Sequence, residues 1–298
     1  MPRGQIIRTL SNFYYVRDEE NNIWECKARG LFKMQKITPL VGDYVYFDSV
    51  NQEGQKTGYI VEIEPRRNEL FRPQIANVDQ AVLVFSMKSP DFSTILLDKF
   101  LVHVEKANIN PIICLTKIDL LEDENQLESL LKPYLSTGYL IIRTSSKNNI
   151  GLEELKSRLK DKITVFAGQS GVGKSSLLNA LIPALELETN EISKKLGRGK
   201  HTTRFVQFLS LPNGGMVADT PGFSQLDFVG ISAEELDDYF VEFQSYSEVC
   251  KYRGCLHQNE PGCAVKLAVE KNEIDNGRYE HYLQFLNTIK EAEARKWR

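Results

Sequence analysis

The sequence predicts an α/β core that carries an N-terminal β-barrel and a C-terminal helical segment stapled by a metal. Three observations carry this expectation. Short strand-like runs fill the first 70 residues, strands then alternate with helices to about residue 230, and three of the five cysteines crowd with a histidine into a short window near the end. The expected units are 1–70, 71–230 and 231–298.

In the first unit the runs Gln5–Leu10, Phe13–Arg17, Ile23–Ala28, Tyr44–Val50 and Gly58–Ile63 alternate or are rich in aromatics. Turn formers such as Glu20-Asn21-Asn22, Val41-Gly42-Asp43 and Gln52-Glu53-Gly54 separate them. Five short strands fit a small barrel, with the OB-fold leading and an SH3-like barrel reading nearly the same. After Pro65-Arg66-Arg67-Asn68 the period changes. Val78–Phe85 reads as a strand, and Leu97, Phe100, Leu101 and Val104 share one helical face. A strand ending at Leu115, a polar helix from about Glu122, a strand at Tyr139–Arg143, a helix from Leu152 and a strand at Ile163–Phe166 follow. This alternation implies βαβ units and a mostly parallel sheet. The remainder reads as helical.

With 42% hydrophobic residues the chain can build real cores, and its net charge of -3 argues against coating nucleic acid by bulk electrostatics. No run approaches the roughly 20 apolar residues that span a bilayer. No apolar stretch follows the N-terminal MPRGQIIRTL in the manner of an export signal. Cys26 and Cys114 sit alone in strand-like runs, as small buried hydrophobes do. A reducing, cytoplasmic setting with no membrane association is expected.

The chemistry begins at Gly168-Gln169-Ser170-Gly171-Val172-Gly173-Lys174-Ser175, which follows a strand and opens a helix at Ser175–Leu181. That is the context a phosphate-binding P-loop requires. Glycines let backbone N–H groups curl round the β-phosphate, and the helix start adds its positive end. Lys174 would reach the β- and γ-phosphates, and Ser175, followed by Ser176 in the same turn, would bring its hydroxyl to Mg²⁺. Asp219-Thr220-Pro221-Gly222 ends a further strand-like run, Gly215–Ala218. Asp219 suits an acid holding Mg²⁺ through water, and the Gly222 N–H suits the γ-phosphate.

A P-loop alone does not choose between ATP and GTP. Thr116-Lys117-Ile118-Asp119 ends the strand Ile112–Leu115 and resembles the guanine-reading motif Asn-Lys-x-Asp, with Thr in place of Asn. Its carboxylate accepts from guanine N1–H and the 2-amino group, a donor pair adenine lacks. Ser145-Ser146-Lys147, after the next strand, resembles the loop that supports the base near O6. Both base-reading segments precede the P-loop, whereas in Ras-like GTPases they follow it. The expected fold is therefore a circularly permuted P-loop GTPase domain, its site still assembled at the carboxyl ends of the strands.

Between the P-loop and Asp219 lies the basic, Gly-punctuated stretch Ser193–Arg204, where a switch loop should lie ahead of a strand at Phe205–Leu209. Thr203 is the expected Mg²⁺-sensing threonine, with Thr202 second. Phe223 follows Gly222 where Ras-type enzymes carry a water-orienting Gln, so His201 is the nearest substitute.

Cys250-x4-Cys255-x-His257-x5-Cys263 supplies a Cys3His set with no open position, which suits a structural Zn²⁺. Residues 232–298 carry nine Lys/Arg against thirteen Asp/Glu, so composition by itself favours a solvated helix pair round a staple.

The permuted order, the His201-Thr202-Thr203 segment, the DTPG turn followed by Phe and the spacing of the cysteine cluster together resemble the RsgA (YjeQ/YloQ) family over essentially the whole chain. The resemblance implies a GTPase that turns GTP into GDP and phosphate in late maturation of the small ribosomal subunit. It also implies stimulation by the 30S subunit, a hydrolytic role for His201, and flanking OB and zinc domains that bind 16S rRNA and a ribosomal surface. A monomer is expected. Phe13, Tyr14, Tyr15 and Trp24, with Arg29, Lys33 and Lys36, are the aromatic and basic residues from which an OB surface for RNA could be drawn; alternation along the strands turns about half of them inward. Two other readings are an RNA-binding factor using GTP only as an affinity switch, and a P-loop ATPase or kinase, against which Asp119 argues.

Overall fold

A computed structural model describes residues 1–52, 55–71, 74–182, 207–219 and 227–296. The expected strands are all present. β1 (Arg3–Leu10), β2 (Phe13–Asp18), β3 (Ile23–Ala28), β4 (Tyr44–Gln52) and β5 (Gln55–Ile63) pair in the order β1-β2-β3-β5-β4, and a β1–β4 pairing closes the ring. A short helix, α1 (Gly30–Met34), lies between β3 and β4. That closed order with an intervening helix is the OB arrangement, which settles the choice against the SH3-like barrel. Alternation sends Ile6, Val16, Cys26, Val45, Phe47 and Ile60 inward to complete burial. Tyr14 and Trp24 pack against this core. Phe13 and Tyr15 instead lie under the Lys27 ammonium and the Arg8 guanidinium, so the four aromatics divide between the two faces.

A small hairpin, β6 (Glu69–Phe71) with β7 (Gln74–Ala76), leads into the α/β part. There β8 (Gln80–Ser86), β9 (Asn110–Thr116), β10 (Leu140–Arg143), β11 (Ile163–Ala167) and β13 (Met216–Asp219) run parallel in the order β10-β9-β8-β11-β13, and β12 (Gln207–Ser210) is antiparallel at the end. Every residue of β8 is buried, as a central strand covered on both faces demands. α2 (Thr94–Lys106) and α3 (Glu124–Ser136) cover one face through Leu97, Phe100, Leu101, Leu127 and Leu131. α4 (Leu152–Leu159) and α5 (Lys174–Leu181) cover the other through Leu155, Leu159, Leu177 and Leu178.

One feature of the architecture has no precursor in the hydrophobic pattern. β12 also pairs with β1, at Arg8 and Gln207, so barrel and parallel sheet form one eleven-stranded sheet. The C-terminal part is helical, with α6 (Gln244–Ser247), α7 (Ala264–Glu270) and α8 (Asn276–Lys296) round a third core that includes Phe240, Phe243, Tyr282 and Leu286. Among the described residues no helix is long and apolar enough to cross a membrane.

Candidate nucleotide site and metal cluster

The P-loop leaves β11 at Gly168 and enters α5 at Lys174. Its three glycines are needed for their backbone. Gly168, Gly171 and Gly173 take φ of 150°, 83° and 97°. A Cβ on Gly168 would stand 2.2 Å from the Val84 carbonyl oxygen, which fixes how closely the loop lies on β8. The Lys174 ammonium donates to the carbonyls of Gly168 (2.7 Å) and Gln169 (2.6 Å), and burial pushes its pKa down to about 8. Ser175 and Ser176 occupy the first turn of α5, both half-buried.

The guanine-type loop is tied to the P-loop by two side chains. Thr116, buried at the end of β9, donates its hydroxyl to the Val172 carbonyl and lies 3.2 Å from the Phe85 carbonyl. Lys117, held at a left-handed φ of 56°, donates to the carbonyls of Gly171 (2.9 Å) and Ser89 (2.5 Å). The exposed Asp119 accepts from the buried Ser145 hydroxyl at 2.5 Å. That hydrogen bond, assisted by Lys147, holds the Asp119 carboxyl below its ordinary value, so the acceptor charge that would meet guanine is kept. The Ser145 hydroxyl also takes the Asn148 N–H, and backbone pairing between Ser145 and Ile150 makes 146–149 a tight loop. Strands far apart in sequence thus bring Thr116, Lys117, Asp119 and Ser145 to the P-loop at one edge of the sheet.

Asp219 ends β13, beside β11 in parallel register. His201, Thr202 and Thr203 lie outside the described residues, as do Gly222 and Phe223.

In the C-terminal part the Sγ atoms of Cys250, Cys255 and Cys263 and a ring nitrogen of His257 lie within 4.8 Å of one another and can hold a metal ion. Nδ1 of His257 faces Cys263 Sγ at 3.2 Å, while Nε2 faces Asp237 Oδ2 at 3.1 Å. Burial disfavours the Cys250 thiolate, yet the backbone N–H groups of Ala264 and Val265, together with Cys263 and His257, outweigh it and lower its pKa; burial pushes Cys255 up to about 12. Three soft sulfurs and one imidazole, with the outer ring nitrogen engaged by a carboxylate, are the donors of a closed tetrahedral site. Asp237 carries no sequence signal, since Asp237-Asp238 reads as surface acid. The carbonyls of 88 and 89 that receive Lys117 are equally silent, because any residue type supplies them.

Fold and site together define a P-loop GTPase whose base-reading strands precede its phosphate-binding strand. The comparisons with known proteins agree. Residues 63–229 match the RsgA GTPase family and residues 3–60 match the RsgA N-terminal domain, and the chain belongs to the RsgA family. It is 57% identical to the small ribosomal subunit biogenesis GTPase RsgA of Bacillus velezensis over 299 residues, covering 99% of this chain and 100% of the relative. The protein of that name from Bacillus subtilis is 54% identical at the same coverage. The crystal structure of YloQ, described as a circularly permuted GTPase, superposes with a TM-score of 0.82 at 48% identity, covering 98% of this chain and 96% of that one. YjeQ from Thermotoga maritima gives 0.84 at 41%, covering 97% and 98%.

Proposed function

We propose that this GTPase hydrolyses GTP to time its departure from a maturing small ribosomal subunit. The observation that carries the reading is the single ligand edge on which a guanine-type carboxylate and a P-loop lysine are tied together by Thr116 and Lys117. Asp119 reads the base, with Ser145, Ser146 and Lys147 behind it. Backbone N–H groups of residues 168–176 surround the phosphates and Lys174 bridges two of them. Ser175, Asp219 and Thr203 would hold Mg²⁺, which would supply charge neutralisation to the phosphates. The Gly222 N–H meets the γ-phosphate, and His201 orients the attacking water.

The metal of the Cys3His cluster is Zn²⁺ in a structural role, supported by its donor set. The named function of the Bacillus relatives supports the small subunit as partner. Binding to 16S rRNA through the flanking units, a monomeric state, a cytoplasmic setting and units at 1–70, 71–230 and 231–298 complete the reading.

Phosphate release measured with and without purified 30S subunits tests it. Stimulation is expected, with a loss of about 10²-fold or more in His201→Ala, the scale of a positioned general base. An unstimulated, negligible turnover would leave GTP as an affinity switch only. Competition by ADP equal to that by GDP would instead restore the ATPase reading.

A further inference from the structure

A groove of about 400 Å³ runs beside the guanine-type loop, between the segment after β8 and the segment from Leu120 into α3. Its floor is apolar: Met87, Phe92 and Leu121 pack on the main core, and Leu127 is fully within it. Its lips are exposed leucines, Leu120 at 44% and Leu130 at 36%. The rim is acidic. Asp91, Glu122 and Asp123 line it with one lysine, Lys88, and the exposed Glu124 follows directly. Lys88 spans the groove to pair with Glu122, with both side chains largely in water, so the pair is weak and exchangeable. An apolar trough with a carboxylate rim repels nucleic-acid phosphates and suits aliphatic side chains interleaved with cations.

The two walls are also the supports of the base-reading loop. The Lys88 and Ser89 carbonyls receive the Lys117 ammonium, and Leu120 is the residue after Asp119. We propose that this groove docks a basic amphipathic segment of a small-subunit protein, and that docking speeds release of guanine nucleotide. Cations of the partner replace Lys88 at Glu122, the walls part, and the carbonyl seat of Lys117 loosens. The source of the partner rests on the ribosomal reading above; the chemistry of the groove does not.

Two measurements test this. The first places a photo-crosslinking p-benzoylphenylalanine at Leu130 and irradiates the full-length protein on 30S subunits. A crosslink to a ribosomal protein is expected. A crosslink to RNA, or none while the protein co-sediments, overturns the proposal and leaves the ribosomal reading standing. The second uses a synthetic Leu/Lys amphipathic helix as probe and follows release of a fluorescent GDP analogue without ribosomes. Release should accelerate at least about five-fold, the lower range of allosteric coupling. The double variant Asp91→Lys/Glu124→Lys, which keeps the Lys88–Glu122 pair, should bind the probe about ten-fold more weakly and, without probe, release nucleotide at the wild-type rate. Unchanged release on saturation with probe, or equal probe binding by the double variant, overturns it. A wild-type protein that fails to co-sediment removes the ribosomal reading, and the probe experiment still decides the groove.

Discussion

Lys174 shows how much of this site depends on one proton. Among the described residues the half-buried ammonium has two carbonyls of its own loop as partners, and burial pushes its pKa down to about 8. A triphosphate beside it favours the charged form and raises that value in the complex. Affinity for GTP is therefore fully present below about pH 8 and falls as pH rises above it, by up to about ten-fold per unit until the complex's own pKa is reached. Dissociation constants for a GTP analogue at about pH 7 and about pH 9 should differ accordingly. Lys174→Arg, charged throughout, serves as control for deprotonation of the base itself. A constant affinity across that range in the wild type would show that the lysine is not desolvated in the free enzyme. At this scale the sequence is highly legible, because Gly168, Gly173, Lys174 and Asp119 are fixed by what phosphate and guanine demand. Thr116 reads as a weakened guanine motif, yet its hydroxyl makes the bond that ties β9 to the P-loop at Val172. No spacing rule contains that partner.

At the level of elements, α7 and the loop before it are gathered round the Cys3His cluster. The stretch 248–263 contains no regular strand or long helix, and it is held by the four ligands and by Tyr279 and Tyr282, whose hydroxyls donate to the carbonyls of His257 and Leu256. Removing the metal would leave three adjacent thiols and the His257 ring with no ion to join them. Stripping the metal with a strong chelator should unfold this part, since binding energy in such sites is folding energy of order 10 kcal/mol. The near-UV circular dichroism of the tyrosines should collapse while GDP binding at the P-loop persists. A chain purified free of metal, with the same spectrum before and after chelation, would refute the cluster. Periodicity found nearly every strand and helix here, because alternation and helical stripes report burial directly. It did not find α1 or the hairpin β6–β7, which are too short to show a period. The pairing of β1 with β12 was equally invisible, since it joins two edges through main-chain groups that every residue shares.

On the scale of the whole molecule, the helical part is bolted to the GTPase part by one buried cation. Arg278, on α8, is only 3% exposed; it donates to Asp98 of α2 and, through two nitrogens, to Glu242. Asp98 is itself buried and also receives His281 Nδ1. The rings of Tyr134, Tyr139 and Phe240 stand over the guanidinium at 5.2 to 6.0 Å. α2 begins just after the segment whose carbonyls seat Lys117, so this bolt fixes the helical part against an element that leads straight to the base-reading loop. The sequence cannot reveal it, since Asp98 sits on the apolar face of an ordinary amphipathic helix and its partner lies 180 residues away. Arg278→Met deprives Glu242 of its partner and leaves the buried Asp98 with His281 alone, and should cost about 3–5 kcal/mol, the usual penalty for orphaning half of a buried pair. Urea unfolding followed by a probe in the helical part is the measurement, because a chain of several units need not unfold in one step. Adding Asp98→Leu and Glu242→Leu should return much of the loss, as replacing a buried ion network with apolar groups often does. If Arg278→Met alone leaves the transition in place, the cation contributes nothing to holding the two parts together; a triple variant no more stable than the single one would trace the loss to packing against the three rings and not to charge.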